Sequence, residues 1–494
     1  MAETPNVLLF FTDQHRLSAV GAYGETPCRT PTLDRLAAEG VRFENAYTTC
    51  PVCSPARGTV MTGLFPHAHG VVSNVHNTGC NVNELPDQPG LLSRRLGAAG
   101  YACGYTGKWH LGTDATTAYG APNTPSLPRT VGFEGQNFPG HGGGGHRYPE
   151  YQQYLADRGL TRTVKDWSEP ARQVWPSGEE DCPVEATVPY FLAEHTIGLI
   201  DRFRAEGRSF FIWHNNWGPH GPYYAPAEFI EPYRSVEIPP WPNADWPARS
   251  IPGPHHVKIH PDAERVTWVD WAAAVRYYYA FTTLIDAQIG RVIEHLDQTG
   301  ALENTILIFT ADHGETIGSH GGLADKGWHH FEEIQRIPWI VRFPDGRYAG
   351  TVIDPLVSLA DLYPTICEMA GADCDADRLH GRSLLPLMAD PACDWRDQVV
   401  VEFGGVNSGA TTMRTLRTGR LKYGWNIANE DELYDLAADP HETVNLVRHP
   451  DYQDALADCR RRLRAWMHET GDGPKTPYRD AMRYAYGPDW EKDT

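Results

Sequence analysis

Residues 7–14 read VLLFFTDQ, an apolar run that ends abruptly in polar side chains. A short continuous run of this kind predicts a buried strand of a parallel sheet. Further runs of the same character lie at residues 101–105, 210–213, 305–310 and 339–343. Segments with helical spacing lie between some of them, including residues 31–40 and an apolar stripe from Tyr278 to Leu296. We therefore expect an α/β fold, in which a large, mixed, mostly parallel sheet is sandwiched by helices.

Polar residues directly follow four of the predicted strands. They are Asp13 with Gln14, Lys108 with His110, the segment 214–220, and Asp312 with His313. Because the carboxyl ends of parallel strands share one edge of a sheet, where ligands bind, these groups are expected to converge. Carboxylates and imidazoles can bind metals, and Lys108 can bind an anion. The pattern favours one site at that edge over four unrelated polar loops.

The composition excludes some classes of partner. The chain has 494 residues, 41% of them hydrophobic, and a formal net charge of −20. An acidic chain repels nucleic acids and anionic membrane surfaces, so neither is expected as a partner. The apolar run at residues 7–11 is too short for a signal peptide and no later run is long enough to span a membrane, so we expect a cytoplasmic protein. The ten cysteines show no dense disulfide framework.

Length and a change of pattern predict two domains. Residues 1–375 hold the predicted α/β sheet, and residues 376–494 are expected to form a smaller α+β domain with an antiparallel sheet. In that second domain, residues 415–425 and 432–436 are predicted strands, and residues 452–467 a predicted helix.

Two stretches lack clear periodicity. Residues 114–185 are rich in Gly, Pro and Trp, and predict long loops over the sheet edge. Within them, the run from His141 to His146 is interpreted as a flexible loop, with a metal site as the alternative. The extended segment after about residue 470 is compatible with packing on a neighbouring subunit, and hence with a homo-oligomer.

The segment around Cys53 has the features of a helix start that binds an anion. Residues 53–63 read CSPARGTVMTG, so Ser54 is expected to cap a helix, Pro55 to occupy its first position and Gly63 to end it. The free N–H groups of a helix start favour an anion, and Arg57 adds a bidentate donor. A thiol placed here has a lowered pKa, so a plain nucleophilic cysteine is one interpretation.

Beyond that local chemistry, residues 53–57 match the C-x-P-x-R maturation signature of type I sulfatases, within the alkaline phosphatase superfamily. Other segments resemble this family in the expected order and cover nearly the whole chain. They are Asn6 to Gln14, Gly104 to His110, Pro219 to Tyr223, Asp312 to Glu315 with Lys326, and Leu433 to Leu446.

The resemblance implies a modified nucleophile and a metal. Cys53 would be oxidised to formylglycine by a formylglycine-generating enzyme, which reads Pro55 and Arg57 in this family. The hydrated aldehyde would attack a sulfate ester in line. One divalent cation would be present; calcium fits the resemblance best, and manganese or magnesium stays open. Its ligands would be Asp13, Gln14, Asp312, His313 and residue 53.

The resemblance also implies roles for the surrounding side chains. Arg57, Lys108 and Lys326 would hold the nucleophile and the sulfate oxygens. His110 would orient or deprotonate the nucleophile, and His220 would protonate the leaving oxygen. Asn74 is expected to contact the sulfate.

The preferred ester stays open, because Gln14 and His313 stand where many sulfatases have Asp and Asn. Family members with Gln and His at these places include both sulfatases and phosphonate monoester or phosphodiester hydrolases. We expect a small sulfate monoester of a sugar, aryl or alkyl alcohol, with a phosphonate monoester or phosphodiester as the alternative. A non-catalytic binding protein is disfavoured because no motif residue is lost. A redox protein built on Cys50 and Cys53 is the remaining hypothesis.

Overall fold

The computed structural model describes residues 4–75, 77, 80–113, 126–138, 141, 143–165, 174–251, 253–259, 265–406, 409–427 and 429–472. A large sheet forms its centre. The strands of this sheet are β1 (Asn6–Asp13), β2 (Val41–Phe43), β3 (Ala102–Gly107), β4 (Glu134–Gly135), β5 (Phe210–Pro219), β6 (Thr305–Ala311), β7 (Trp339–Arg342) and β8 (Thr351–Ile353). Their order across the sheet is β8-β2-β7-β6-β1-β5-β3-β4.

The sheet is mixed and mostly parallel, as predicted. Strand β1 pairs in parallel with β6 on one side and with β5 on the other. The parallel arrangement continues through β3 to β4, and β8 pairs in parallel with β2. Strand β7 runs antiparallel to both of its neighbours. All five predicted strands are therefore confirmed, with boundaries shifted by a few residues.

Alternating residues of β1 enter two different cores, because successive side chains of a strand point to opposite faces. Val7, Leu9 and Phe11 belong to one apolar cluster. Leu8 and Phe10 belong to another. Burial on both faces explains why this strand is continuously apolar rather than alternating.

Helices cover both faces of the sheet. The longer ones are α1 (Pro31–Glu39), α2 (Cys53–Thr62), α3 (Leu92–Ala98), α4 (Pro149–Arg158), α5 (Val188–Ala205), α6 (Trp268–Gln298), α7 (Leu362–Ala370) and α8 (Gln453–Thr470). Helices α2, α3 and α7 contribute to the core of one face, and α1, α5 and α6 to that of the other. The predicted stripe on α6 is core: Ile285, Ile289 and Val292 pack under the sheet. Among the described helices, none is both long and apolar enough to cross a bilayer.

A four-stranded antiparallel sheet lies in the C-terminal region. Its strands are β9 (Gln398–Val406), β10 (Gly409–Thr418), β11 (Leu421–Asn426) and β12 (Glu432–Asp435), in that order. The single strand predicted over 415–425 was wrong, because the chain turns at Gly419 and Arg420 and pairs back on itself. The helix predicted over 452–467 is confirmed as α8, which packs on this sheet. The boundary at residue 375 stays a prediction, and residues 473–494 lie outside the described ones.

The stretch 114–185 contains more regular structure than expected. Helix α4 has Pro149 in its first turn and ends at Gly159, which adopts a positive φ of 62°. Tyr151, Tyr154 and Leu155 lie on its buried side. The sequence signal was present, since these positions have helical spacing, but it spans only one turn. Strands Thr163–Lys165 and Ser177–Asp181 follow in a separate small sheet with Tyr223–Pro226.

Candidate active site

The polar groups expected at one sheet edge do converge there. Asp13 is the last residue of β1, and Lys108 directly follows β3; Lys108 Nζ lies 2.6 Å from Asp13 Oδ2. His220 directly follows β5, and its N–H donates to the Asp13 carbonyl oxygen at 3.0 Å. Asp312 directly follows β6, and Arg57 Nη2 donates to its carboxylate at 3.3 Å. The topology therefore brings residues some 300 positions apart in the chain into one cluster.

Four potential metal ligands lie at the centre of this cluster. One ligand atom each from Asp13, Cys53, Asp312 and His313 lies within 4.8 Å of all the others, and all four residues are buried. Cys53 Sγ is 3.6 Å from Asp13 Oδ1 and 3.5 Å from His313 Nε2. The predicted convergence of residue 53 with the two aspartates is confirmed.

The charges of this cluster favour a cation. Burial raises the pKa of Asp312, and the neighbouring Asp13 charge raises it further. Burial also acts to raise the pKa of Asp13, but the charges of Lys108, Arg57 and Lys326 outweigh it and hold that pKa well below its usual value. Two buried carboxylates and an imidazole form a donor set that suits a hard divalent cation.

His313 has the tautomer that a metal ligand needs. Its Nδ1–H donates to the Gly314 carbonyl oxygen at 2.9 Å, so in the neutral ring Nε2 keeps its lone pair. That nitrogen is the one that faces Cys53. This hydrogen bond to Gly314 thus orients the imidazole toward the carboxylates.

Cys53 is the first residue of α2, two residues before the expected first position at Pro55. Val52 is the N-cap, so the predicted cap at Ser54 was wrong. The Ser54 N–H instead donates to Asn74 Oδ1 at 3.1 Å, so a side chain from another segment satisfies the helix start. The predicted end is confirmed, with Gly63 at a φ of 70°. Asn74 therefore has an observed role in holding the helix, and its contact with sulfate stays a prediction.

The environment of the Cys53 thiol is mixed in charge. Burial and the Asp13 carboxylate raise its pKa. Lys108 and Lys326 lower it, and the net effect is a thiol pKa below its usual value. The surroundings of Cys53 therefore favour the thiolate over the thiol more than water does.

Arg57 links the parts of the site. Its Nη2 donates to Asp13 Oδ2 at 3.0 Å as well as to Asp312, and the side chain is fully buried. Its Nη1 donates to the Lys108 carbonyl oxygen at 2.9 Å and to Asn215 Oδ1 at 2.8 Å. Arg57 thus fixes both carboxylates, which is a positioning role that the sequence did not reveal. Asn215, which accepts from it, was noted only as part of a polar segment.

Gln14 and Lys326 contact each other beside the cluster. Lys326 Nζ donates to Gln14 Oε1, and Gln14 Nε2 donates to Glu315 and Asp325. Since the Gln14 oxygen already accepts from an ammonium group, its role as a metal ligand stays a prediction. Burial acts to lower the pKa of Lys326, but Cys53 and the nearby aspartates raise it above its usual value.

Two acids that the prediction did not include among the site residues are Glu315, which is buried, and Asp325, which is half-buried. Glu315 accepts from Tyr223 Oη at 2.9 Å, and Asp325 pairs with Lys258 Nζ at 2.7 Å. Glu315 was visible in the Asp312–Glu315 motif, and Asp325 as the neighbour of Lys326. Nothing in the sequence indicated Lys258.

Three histidines border the cluster. His220 donates through Nδ1–H to the Gly221 carbonyl oxygen at 2.7 Å, and burial with the Lys326 charge lowers its pKa to about 3. His110 has a positive φ of 55° and its ring lies 5.1 Å from that of His141. His141 also lies 5.2 Å from His220, and its carbonyl oxygen accepts from the Trp217 indole. His141 was interpreted as part of a flexible loop, yet it is a member of this site.

Cys50 does not share the chemistry of Cys53. It packs in an apolar cluster with Val52, Phe403 and Met413, and both cysteines are free thiols. Burial and the Glu402 charge raise the pKa of Cys50 well above its usual value. An inert buried thiol gives no support to a redox pair.

A second cluster of metal-ligating types, formed by His320, Glu333 and Glu442, already has donors of its own. Asn243 Nδ2 donates to His320 Nε2 at 2.9 Å and to Glu333 Oε1 at 2.8 Å. Lys422 Nζ pairs with Glu442 Oε1 at 2.5 Å. We interpret this cluster as a structural link between the loop after β6 and the C-terminal region.

Comparisons with known proteins agree with this geometry. The family model described as Sulfatase matches residues 5–372, and the model of the N-sulphoglucosamine sulphohydrolase C-terminal region matches residues 318–469. The chain is 29% identical to the uncharacterized sulfatase YidJ of Escherichia coli, over 99% of this chain and 91% of that protein.

One similar protein is named as multifunctional, and one similar structure is named for a phosphonate monoester. The chain is 29% identical to the multifunctional alkaline phosphatase superfamily protein PehA of Trinickia caryophylli, over 96% of this chain and 98% of that protein. The crystal structure of the phosphonate monoester hydrolase of Agrobacterium radiobacter superposes with a TM-score of 0.77 at 25% identity, covering 94% of this chain and 96% of that one.

Proposed function

The chain belongs to the sulfatase family of sulfuric ester hydrolases, and on that premise we propose that it hydrolyses sulfate monoesters with a metal-bound formylglycine derived from Cys53. The observation that carries this proposal is the grouping of donor atoms from Asp13, Cys53, Asp312 and His313 within 4.8 Å of one another. Lys108 and Lys326 beside that group supply the positive charge that an anionic ester requires in an otherwise acidic chain.

The donor set fits one divalent cation, which Asp13, Asp312, His313 and residue 53 would hold. Calcium is the ion proposed, and the His313 nitrogen also suits manganese or magnesium. When bound, the cation would polarise the ester and lower the pKa of the nucleophile at residue 53.

The side chains around this centre have separate tasks. Arg57 holds the two carboxylates in register, because one guanidinium nitrogen donates to both. Lys108 and Lys326 would stabilise the sulfate oxygens where negative charge develops. A formylglycine at residue 53 would supply a nucleophile that can release sulfate and return to the aldehyde.

His220 is proposed to protonate the leaving oxygen. Its pKa of about 3 makes it neutral in the free site, with Nδ1–H held by Gly221. A bound anionic ester favours the protonated ring, since a nearby negative charge raises the pKa of an imidazole. His220 can therefore gain its proton when substrate is present and pass it to the alcohol.

The alcohol portion is proposed to be a sugar, with aryl and alkyl sulfates as further substrates. The match of residues 318–469 to the N-sulphoglucosamine sulphohydrolase model supports this choice.

A second candidate function is phosphonate monoester or phosphodiester hydrolysis at the same site. Gln14 and His313 favour it, as does the similarity to PehA and to the phosphonate monoester hydrolase. The Gln14 carbonyl oxygen contacts Lys326, so a neutral residue stands where an aspartate would offset that positive charge. A more positive site suits a phosphoryl group.

The test combines peptide mass at residue 53 with steady-state rates. The chain is produced with and without a formylglycine-generating enzyme, and kcat/KM is measured on matched para-nitrophenyl sulfate and bis-para-nitrophenyl phosphate. We expect an aldehyde mass at residue 53 and a higher kcat/KM on the sulfate ester than on the phosphodiester. Cys53→Ala should lower kcat/KM on the sulfate ester by more than about 10³-fold. Cys50→Ala is the matched control and should retain activity. A large preference for the phosphodiester would overturn the sulfatase assignment in favour of the second candidate.

A further inference from the structure

Solvent reaches the site from the side of two imidazoles. Cys53 is 1% exposed, Lys108 is fully buried and Lys326 is 4% exposed, so the reacting end is closed. His141 and His220 are half-buried. Since the sulfate group must lie against residue 53, an alcohol portion that leaves the site on this side extends past these two rings.

The backbone of His141 is held in place at this opening. Its carbonyl oxygen accepts from the indole N–H of Trp217, a residue of β5. The ring lies 5.1 Å from that of His110 and 5.2 Å from that of His220, and both contacts are edge-on. This imidazole is therefore positioned beside the group proposed to protonate the leaving oxygen.

The charge state of His141 restricts what it can recognise. Burial lowers its pKa well below the usual value, and the positive charge of Lys108 lowers it further. A neutral imidazole offers one N–H donor and one acceptor nitrogen. A hydroxyl matches both, because it can accept from the N–H and donate to the other nitrogen, whereas a carboxylate can only accept and an apolar group would leave the ring nitrogens without partners.

We infer that His141 binds a hydroxyl group on the alcohol portion of the substrate, next to the ester oxygen, and so makes the site selective for polyhydroxylated sulfate esters. This inference rests on the proposed function, because it assumes an ester bound at residue 53. His141 is a specificity-determining residue here and takes no part in bond breaking.

The test compares three kinds of ester on the mature enzyme. The first is the best-hydrolysed member of a set of glucose monosulfates that differ in the sulfated position. The second is its analogue deoxygenated at the neighbouring carbon, and the third is para-nitrophenyl sulfate. The wild type should prefer the glucose ester to the deoxy analogue, because a site built to bind a hydroxyl loses that partner in the analogue.

Two variants extend the comparison. His141→Ala should lower kcat/KM for the glucose ester by about 5- to 100-fold, and change the other two esters by less than about 3-fold. His141→Gln keeps a donor and an acceptor and should recover most of the loss. His449→Ala, in the turn before α8, is the control for removal of an imidazole. The thermal unfolding midpoint reports whether each variant is folded. The comparison of the glucose ester with its deoxy analogue uses the wild type, so it does not depend on the folding of any variant.

Several outcomes would overturn the inference. For His141→Ala, they are an equal loss of kcat/KM on all three esters, or no loss on the glucose ester. For the wild type, they are equal kcat/KM on the glucose ester and its deoxy analogue, or turnover of the aryl sulfate alone. A wild type that hydrolyses phosphodiesters and no sulfate ester would refute the proposed function instead. The role of His141 would then be judged by the same comparison on matched phosphodiesters of these alcohols.

Discussion

Lys108 Nζ donates to Asp13 Oδ2 at 2.6 Å, and neither side chain is exposed to solvent. Asp13 ends β1 and Lys108 follows β3, two strands that are separated in the sheet by β5. The contact therefore crosses the sheet edge and joins the predicted anion-holding group to the predicted metal ligands. Its loss should affect both the charge at the site and the position of the Asp13 carboxylate.

Lys108→Met tests this relationship. The variant keeps a long apolar stem but lacks the ammonium group, so a donor for the developing charge is lost. We expect kcat/KM on an aryl sulfate to fall on the order of 10²–10³-fold. Lys165→Met is the matched control, because Lys165 pairs with Asp181 at an exposed position and such pairs contribute little. A loss of less than about 10-fold in Lys108→Met would contradict the role of Lys108.

Asn215→Leu tests the positioning of Arg57. The substitution keeps the size of the side chain and removes the oxygen that accepts from Arg57 Nη1. A hydrogen bond to a charged group contributes about 1.5–3 kcal/mol, so we expect the free energy of unfolding to fall by that amount. We also expect a lower kcat, because Arg57 is then free to shift relative to the two carboxylates. The residue lies outside the maturation motif, so peptide mass at residue 53 should be unchanged.

Asn304→Ala serves as the control for Asn215→Leu, since Asn304 is only half-buried and its side chain donates to the Thr4 carbonyl oxygen, far from the site. An Asn215→Leu enzyme with wild-type kcat would show that Arg57 holds its place through the carboxylates alone.

Cys50→Ser separates the sulfatase from the redox hypothesis. A hydroxyl in the apolar cluster around Cys50 should cost about 1–3 kcal/mol of unfolding free energy. Because Cys50 does not contact the ligand set, kcat should be unchanged. Urea unfolding and steady-state kinetics on the same preparation give both quantities. If Cys50→Ser inactivated the enzyme as fully as Cys53→Ser, a cysteine pair would have to take part in the reaction.

The sheet and the convergence of the site could be predicted from the sequence because both depend on local patterns. The run VLLFFTDQ is apolar enough to predict a strand and ends in polar residues. Because the carboxyl ends of parallel strands share one sheet edge, its polar end is predicted to lie beside the polar ends of the other strands. For the same reason the helix from Pro31 and the stop at Gly63 were correct.

Other features depend on contacts between distant segments and had no local signal. The helix at Cys53 begins before Ser54 because Asn74, from another segment, satisfies the Ser54 N–H. Arg57 reaches Asn215 across 158 positions of the chain, and His141 joins the site only through its neighbours His110 and His220. Such contacts are set by how the loops close over the sheet edge, which spacing along the chain does not encode.

His67 gives a prediction for stability rather than activity. Burial acts to lower its pKa, but the Glu402 carboxylate, 2.6 Å from His67 Nδ1, raises the pKa above its usual value. A group with a raised folded-state pKa stabilises the protein fully below its unfolded pKa, about 6.5 for histidine, and this contribution is lost as the pH rises through the folded-state value.

His67→Gln removes the titration and keeps a side chain that forms hydrogen bonds. The difference in unfolding free energy between wild type and His67→Gln should therefore be largest in mild acid and shrink toward alkaline pH, as urea unfolding across that range would show. His295→Gln is the control for removing an imidazole paired with a carboxylate, because its partner Asp201 is much more exposed than Glu402. A difference for His67→Gln that stays constant with pH would mean that the imidazole is not protonated beside Glu402, and that the contact is a neutral hydrogen bond.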